Sequence, residues 1–73
     1  MTQAKIINYS LTLVNIYNNM NNMLMKDETL DNIKPTDFWD LVEINGKLHD
    51  AILMSLEDVT LSENRTNILN QIL

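Results

Sequence analysis

This sequence predicts an all-α fold: an antiparallel helical hairpin with a short third helix, a three-helix bundle that dimerises. Three observations carry that expectation. Gly and Pro occur once each in 73 residues, so long stretches run without a backbone breaker. Apolar residues recur at three- and four-residue spacing rather than in alternation. With no cysteine, a chain near the lower size limit for independent folding must rely on packed helices or on a second copy of itself.

The first helix is expected from about Gln3 to Lys26. Ile6, Tyr9, Leu13, Ile16, Met20 and Met23 keep the spacing of a hairpin seam. At ~100° per residue a second apolar group, Ile7, Leu11, Val14 and Met25, lies beside it. Together they cover far more than the ~100° stripe that one partner helix needs. This second group is the candidate surface for self-association or for a partner helix. Asn8, Thr12, Asn15, Asn19 and Asn22 fill the remaining strip, which is polar and uncharged. The sevenfold spacing of Asn8, Asn15 and Asn22 fits an inter-subunit ladder or plain compositional bias. Met20, Met23 and Met25 fit core filling or an adaptable binding surface.

Residues 27–35 read as a connector. Asp27, Glu28 and Asp31 are unfavourable at the negative end of the first helix, and Pro35 disfavours the helical conformation at Lys34. Thr36 or Asp37 then caps the second helix, expected from Asp37 to Asp58. Phe38, Leu41, Leu48, Ile52, Leu56 and Val59 share one face with Asn45; Asp40, Glu43, Lys47, Asp50 and Glu57 form the opposite stripe. Gly46 costs about 1 kcal/mol relative to Ala inside a helix, and Asn45-Gly46 is also a possible C-cap. The apolar phase is kept across the glycine, which favours a continuous helix. Asn45 is then a register-setting core residue; otherwise it ends the helix.

Thr60-Leu61-Ser62-Glu63 fits a capping box and opens a third helix over residues 61–72, with Leu61, Ile68, Leu69, Ile72 and Leu73 apolar. About 12 residues are too few to stand alone in water. This helix must dock on the second face of the first helix or on another subunit.

Charge separates the chain into unlike regions. All ten acids lie between Asp27 and Glu63, so residues 1–26, 27–63 and 64–73 carry +2, −8 and +1. A pI near 4.4 and the absence of any basic cluster argue against direct nucleic-acid binding. No apolar run approaches the ~18 residues of a membrane span, and the N-terminus lacks a secretory pattern. The expected setting is therefore cytoplasmic, and the sequons at Asn8 and Asn64 are chance matches. Eleven asparagines and eight isoleucines suggest an AT-rich coding sequence.

Catalytic chemistry has little support. His49 is the only histidine and borders the apolar face without a nucleophile motif beside it. The pairs Asp40/Glu43 and Glu57/Asp58 read as a solvated helix face, since acid–base work needs a pocket that perturbs them. The spacing of Asp27, Glu28 and Asp31 is not that of a calcium loop, so no metal and no cofactor are expected. Trp39 falls at the edge of the acidic stripe. It either folds over the hairpin end toward Ile33 or anchors a partner.

The expected function is that of a small acidic, non-enzymatic protein-binding module. Asp37, Asp40, Glu43, Asp50 and Glu57, with Trp39, would engage a protein with a basic surface. An inhibitor of a nucleic-acid-handling protein, of the kind phages or mobile elements encode, has this composition. The alternative is a chaperone- or antitoxin-like module that sequesters a partner helix on Ile7, Leu11, Val14 and Met25.

Overall fold

Thr2 opens the first helix. Its side chain accepts the Lys5 amide at 3.4 Å, satisfying one of the donors that a helix N-terminus leaves free. In the computed structural model, which describes residues 2–72, every regular element is helical. The helices are α1 (Gln3–Leu24), α2 (Asp27–Asn32), α3 (Pro35–Leu56) and α4 (Ser62–Asn70). The long helices α1 and α3 pack antiparallel along their length, and α4 folds back onto α1. Leu73 lies outside the described residues.

The connector contains a helix that the sequence reading did not anticipate. Lys26 is extended (φ −79°, ψ 131°), and Asp27 and Glu28 occupy the first turn of α2. Acids that oppose the C-terminus of one helix favour the N-terminus of the next. The same charges therefore end α1 and begin α2. Pro35 likewise acts two residues earlier than expected. It sits at the start of α3 after an extended Lys34 (φ −68°, ψ 142°), where its fixed φ is already helical and its missing N–H is not needed. Thr36 and Asp37 are thus inside the first turn rather than caps.

Gly46 is helical, and α3 runs through it without a break. The expected apolar face of α3 is the inward one. Asn45, Ile52, Leu56 and Val59 are buried, and Phe38, Leu41 and Leu48 are half-buried. Asn45 donates to the Tyr17 carbonyl at 3.3 Å, so it ties the hairpin register rather than ending a helix.

Helix α1 is turned from the expected seam. Ser10, Val14 and Leu24 are its buried residues, while Tyr9, Ile16 and Met23 are exposed. The inward strip lies between the two expected apolar groups and passes through Ser10. Ser10 Oγ meets the Ile6 carbonyl at 3.0 Å and Ser55 Oγ at 2.7 Å, and Ser55 Oγ meets the Ile52 carbonyl at 2.7 Å. Two hydroxyl protons serve three contacts, so both oxygens are partnered and neither burial is left uncompensated.

The expected capping box is absent. Leu61 is the N-cap of α4 and makes no side-chain cap. The Thr60 amide instead donates to Gln3 Oε1 at 3.1 Å, and Gln3 Nε2 donates to the Asp58 carbonyl at 2.9 Å. One amide side chain at the start of α1 thus satisfies both a donor and an acceptor of the α3–α4 turn. Asn18 holds the other end of α4, donating to the Gln71 carbonyl at 3.1 Å. These contacts dock α4 within the chain.

The main core is Val14, Ile52, Leu56, Val59, Ile68 and Ile72, with Ile6, Ile7, Leu11, Leu13, Tyr17 and Leu69 packed around it. It gathers where the start of α1, the end of α3 and α4 meet. The far end of the hairpin, with α2, contributes only Leu24 to the buried apolar residues.

Candidate binding surfaces

Three surfaces follow from how the two long helices turn. The outer side of α3, opposite its core face, carries Asp40, Glu43, Lys47 and Asp50, all exposed. Lys47 Nζ lies 3.6 Å from Glu43 Oε1, an exposed i,i+4 pair that contributes about 0.3–0.5 kcal/mol. Glu57 caps the C-terminus of α3 and is exposed. Asp37 is also exposed but is rotated off the stripe by about a third of a turn at 100° per residue. Four of the five expected acids therefore form a band, and Asp37 stands apart from it.

Trp39 is 66 % exposed. Its ring meets the edge of Phe38 at 5.3 Å between centroids and 73° between planes. It does not stand alone. Val42, Gly46, His49 and Leu53 follow it at three- and four-residue spacing, and both Val42 and Leu53 are exposed. At ~100° per residue this apolar strip lies between the core face of α3 and the band carrying Glu43 and Asp50. A Cβ placed on Gly46 would meet nothing within 4 Å. The sequence reading found Trp39 but missed its continuation, because Val42 and Leu53 are indistinguishable by type from core residues.

His49 is half-buried on this strip. Its ring stands 5.5 Å from that of Tyr17, and Nδ1 lies 3.9 Å from Asp50 Oδ1. Among the described residues, no three His, Asp or Glu side chains converge to hold a metal ion.

The second apolar group on α1 does not form one open surface. Val14 is fully buried in the core, Ile7 and Leu11 are half-buried against it, and Met25 is 80 % exposed past the end of the helix. The cause is α4, whose Ile68 and Ile72 complete the core beside these residues. The strip of Asn8, Thr12, Asn15, Asn19 and Asn22 faces solvent.

The third surface lies on the side of the hairpin away from α4. Asn18, which holds α4, and Ile16 project about 160° apart around α1. Tyr9, Ile16 and Met23 are exposed there and Met20 half-buried. The contacts of Ser10 with Ser55 and of Tyr17 with Asn45 and His49 set the register. They bring Ile16 level with Leu48 and Met20 level with Ile44, on the same side. Near the Asp58 end this face deepens into an open cleft of about 390 Å³ lined by Ile6, Tyr9, Ser55 and Asp58.

No helix is long and apolar enough to cross a membrane among the described residues. Comparison with protein-family models, with curated proteins and with solved structures finds no match to this chain.

Proposed function

We propose that this chain is a non-enzymatic, cytoplasmic protein-binding module, working as a homodimer, that inhibits or modulates a basic, nucleic-acid-handling protein. Phages and mobile elements carry modulators of this size and charge. The observation that carries the reading is the strip of Trp39, Val42, Gly46 and Leu53 beside Glu43 and Asp50. An exposed tryptophan on an apolar strip supplies contact area. The neighbouring carboxylates supply the potential that steers a basic partner and fixes its orientation. Gly46 adds a second reason. It weakens α3 by about 1 kcal/mol relative to Ala, and nothing inside the chain fills the space beside it. A partner helix crossing there approaches the backbone more closely than any side chain would allow.

Trp39 is the only tryptophan, so its fluorescence reports this surface alone. A Leu- and Lys-containing amphipathic helical peptide should shift its emission to the blue, saturably and less so at high salt. Reversing Asp40, Glu43 and Asp50 to lysine should remove the response while leaving helicity intact. No shift with the basic peptide, or an equal shift with an acidic one, would overturn the reading. The helix-sequestering alternative rests on Ile7, Leu11, Val14 and Met25, of which Val14 is buried, Ile7 and Leu11 are half-buried against the core and Met25 is exposed.

A further inference from the structure

The chain exposes more surface than its mass requires. A folded monomer of 8.5 kDa is expected to expose roughly 4,700 Å², against the 5334 Å² found. Its radius of gyration is 14.2 Å with extents of 42 × 16 × 16 Å, where a compact domain of 73 residues would have roughly 11 Å. The excess of roughly 600–700 Å² is spread over an elongated molecule, for which a stable interface would cover ~800 Å² per partner. The hairpin is covered by α4 on one side only.

From this geometry we infer that the uncovered side, Tyr9, Ile16, Met20 and Met23 of α1 with Ile44 and Leu48 of α3, is where a second copy of this chain docks. The inference rests on the dimeric part of the proposed function and not on the acidic strip. Charge selects the occupant. Each copy carries −5, so two copies repel wherever their acidic bands approach. These six residues are uncharged and α1 contains no acid at all, while Asp37 and Asp58 sit at the two ends of the face. Face to face, two hairpins form a four-helix layer with Glu43 and Asp50 turned outward and Asp40 at the rim. A two-fold arrangement makes the patch its own complement, and Tyr9 and the methionines match the aromatic and Met enrichment of interface cores. Antiparallel helices of 22 residues supply the length of a bundle. Each α4 remains on the outside, over the core it already closes.

The test is solution mass by light scattering over a concentration series, on the full chain and on Ile16→Glu and Met20→Glu. The chain should give twice 8.5 kDa, insensitive to salt. Ile16 is 45 % exposed, so a charge there leaves the fold intact; burying it in the interface should weaken the dimer by at least ~100-fold. Because the chain has no cysteine, Ile16→Cys gives a second readout that does not perturb charge. It should form a disulfide-linked dimer on oxidation, and Asn15→Cys on the solvated strip should not. A monomer at every concentration would overturn the dimer itself. A dimer that survives Ile16→Glu and crosslinks through Asn15→Cys would overturn this face and leave the dimeric reading standing. Neither result bears on the Trp39 peptide assay.

Discussion

The two ends of the hairpin are built differently from the same kinds of residue. At one end, α4 closes over Val14, Ile52, Leu56 and Val59, and Gln3 pins the α3–α4 turn. At the other, α2 and the first turns of α3 bury almost nothing beyond Leu24, while Met25, Leu30 and Trp39 are exposed. Apolar content does not distinguish them. What differs is whether a third element is present to exclude water from the gap that two helices leave between them. Two helices bury one stripe each; a third is needed to enclose a core.

If that difference governs stability, the largest effect belongs to the closed end. Ile52→Ala should cost about 2–5 kcal/mol, enough to lose much of the folded population of so small a domain. Denaturant unfolding followed by circular dichroism measures it. Val42→Ala at the open end should change stability by no more than about 0.5 kcal/mol. Equal costs for the two variants would erase the contrast.

Gly46→Ala sharpens the comparison from the other direction. With nothing within 4 Å of the new methyl, it should stabilise the chain by about 1 kcal/mol. Under the proposed function it should also weaken the peptide-induced shift of Trp39. A stabilised variant that binds unchanged would remove Gly46 from the binding argument.

Smaller effects follow at the clamps. Gln3→Ala removes two hydrogen bonds in partly solvated surroundings and should cost about 0.5–1.5 kcal/mol, with faster amide exchange at Thr60. Glu43→Gln, which breaks the exposed pair with Lys47, should cost about 0.3–0.5 kcal/mol, near the limit of detection.

Much of the hairpin was legible in the sequence. The face of α3 was clear because Phe38 to Val59 present a single apolar register with only Asn45 interrupting it. Continuity through Gly46 followed from the same phase. On α1 the sequence favours a seam through Ile6 to Met23 beside a second apolar face of Ile7, Leu11, Val14 and Met25, and the fold turns inward the strip between them. Ser10 and Asn21 count against the inward register in any pattern of residue types. The Ile6 carbonyl and Ser55 Oγ partner the Ser10 hydroxyl and make its burial acceptable there. The clamp of Gln3 on Asp58 and Thr60 joins positions more than fifty residues apart, and no local signal encodes it.

The sequence by itself determined that this chain is helical, where its breaks fall to within a few residues, and that its acids lie apart from an acid-free first helix. Those properties are local: they depend on backbone propensity, spacing and charge along one strand of chain. Only the tertiary structure decided which side of α1 faces inward, that α4 docks beside the second apolar group of α1 within the chain, and that the opposite face is left open. Burial is settled by competition between surfaces for the same few neighbours, and α1 offered more apolar surface than one chain of this length can cover.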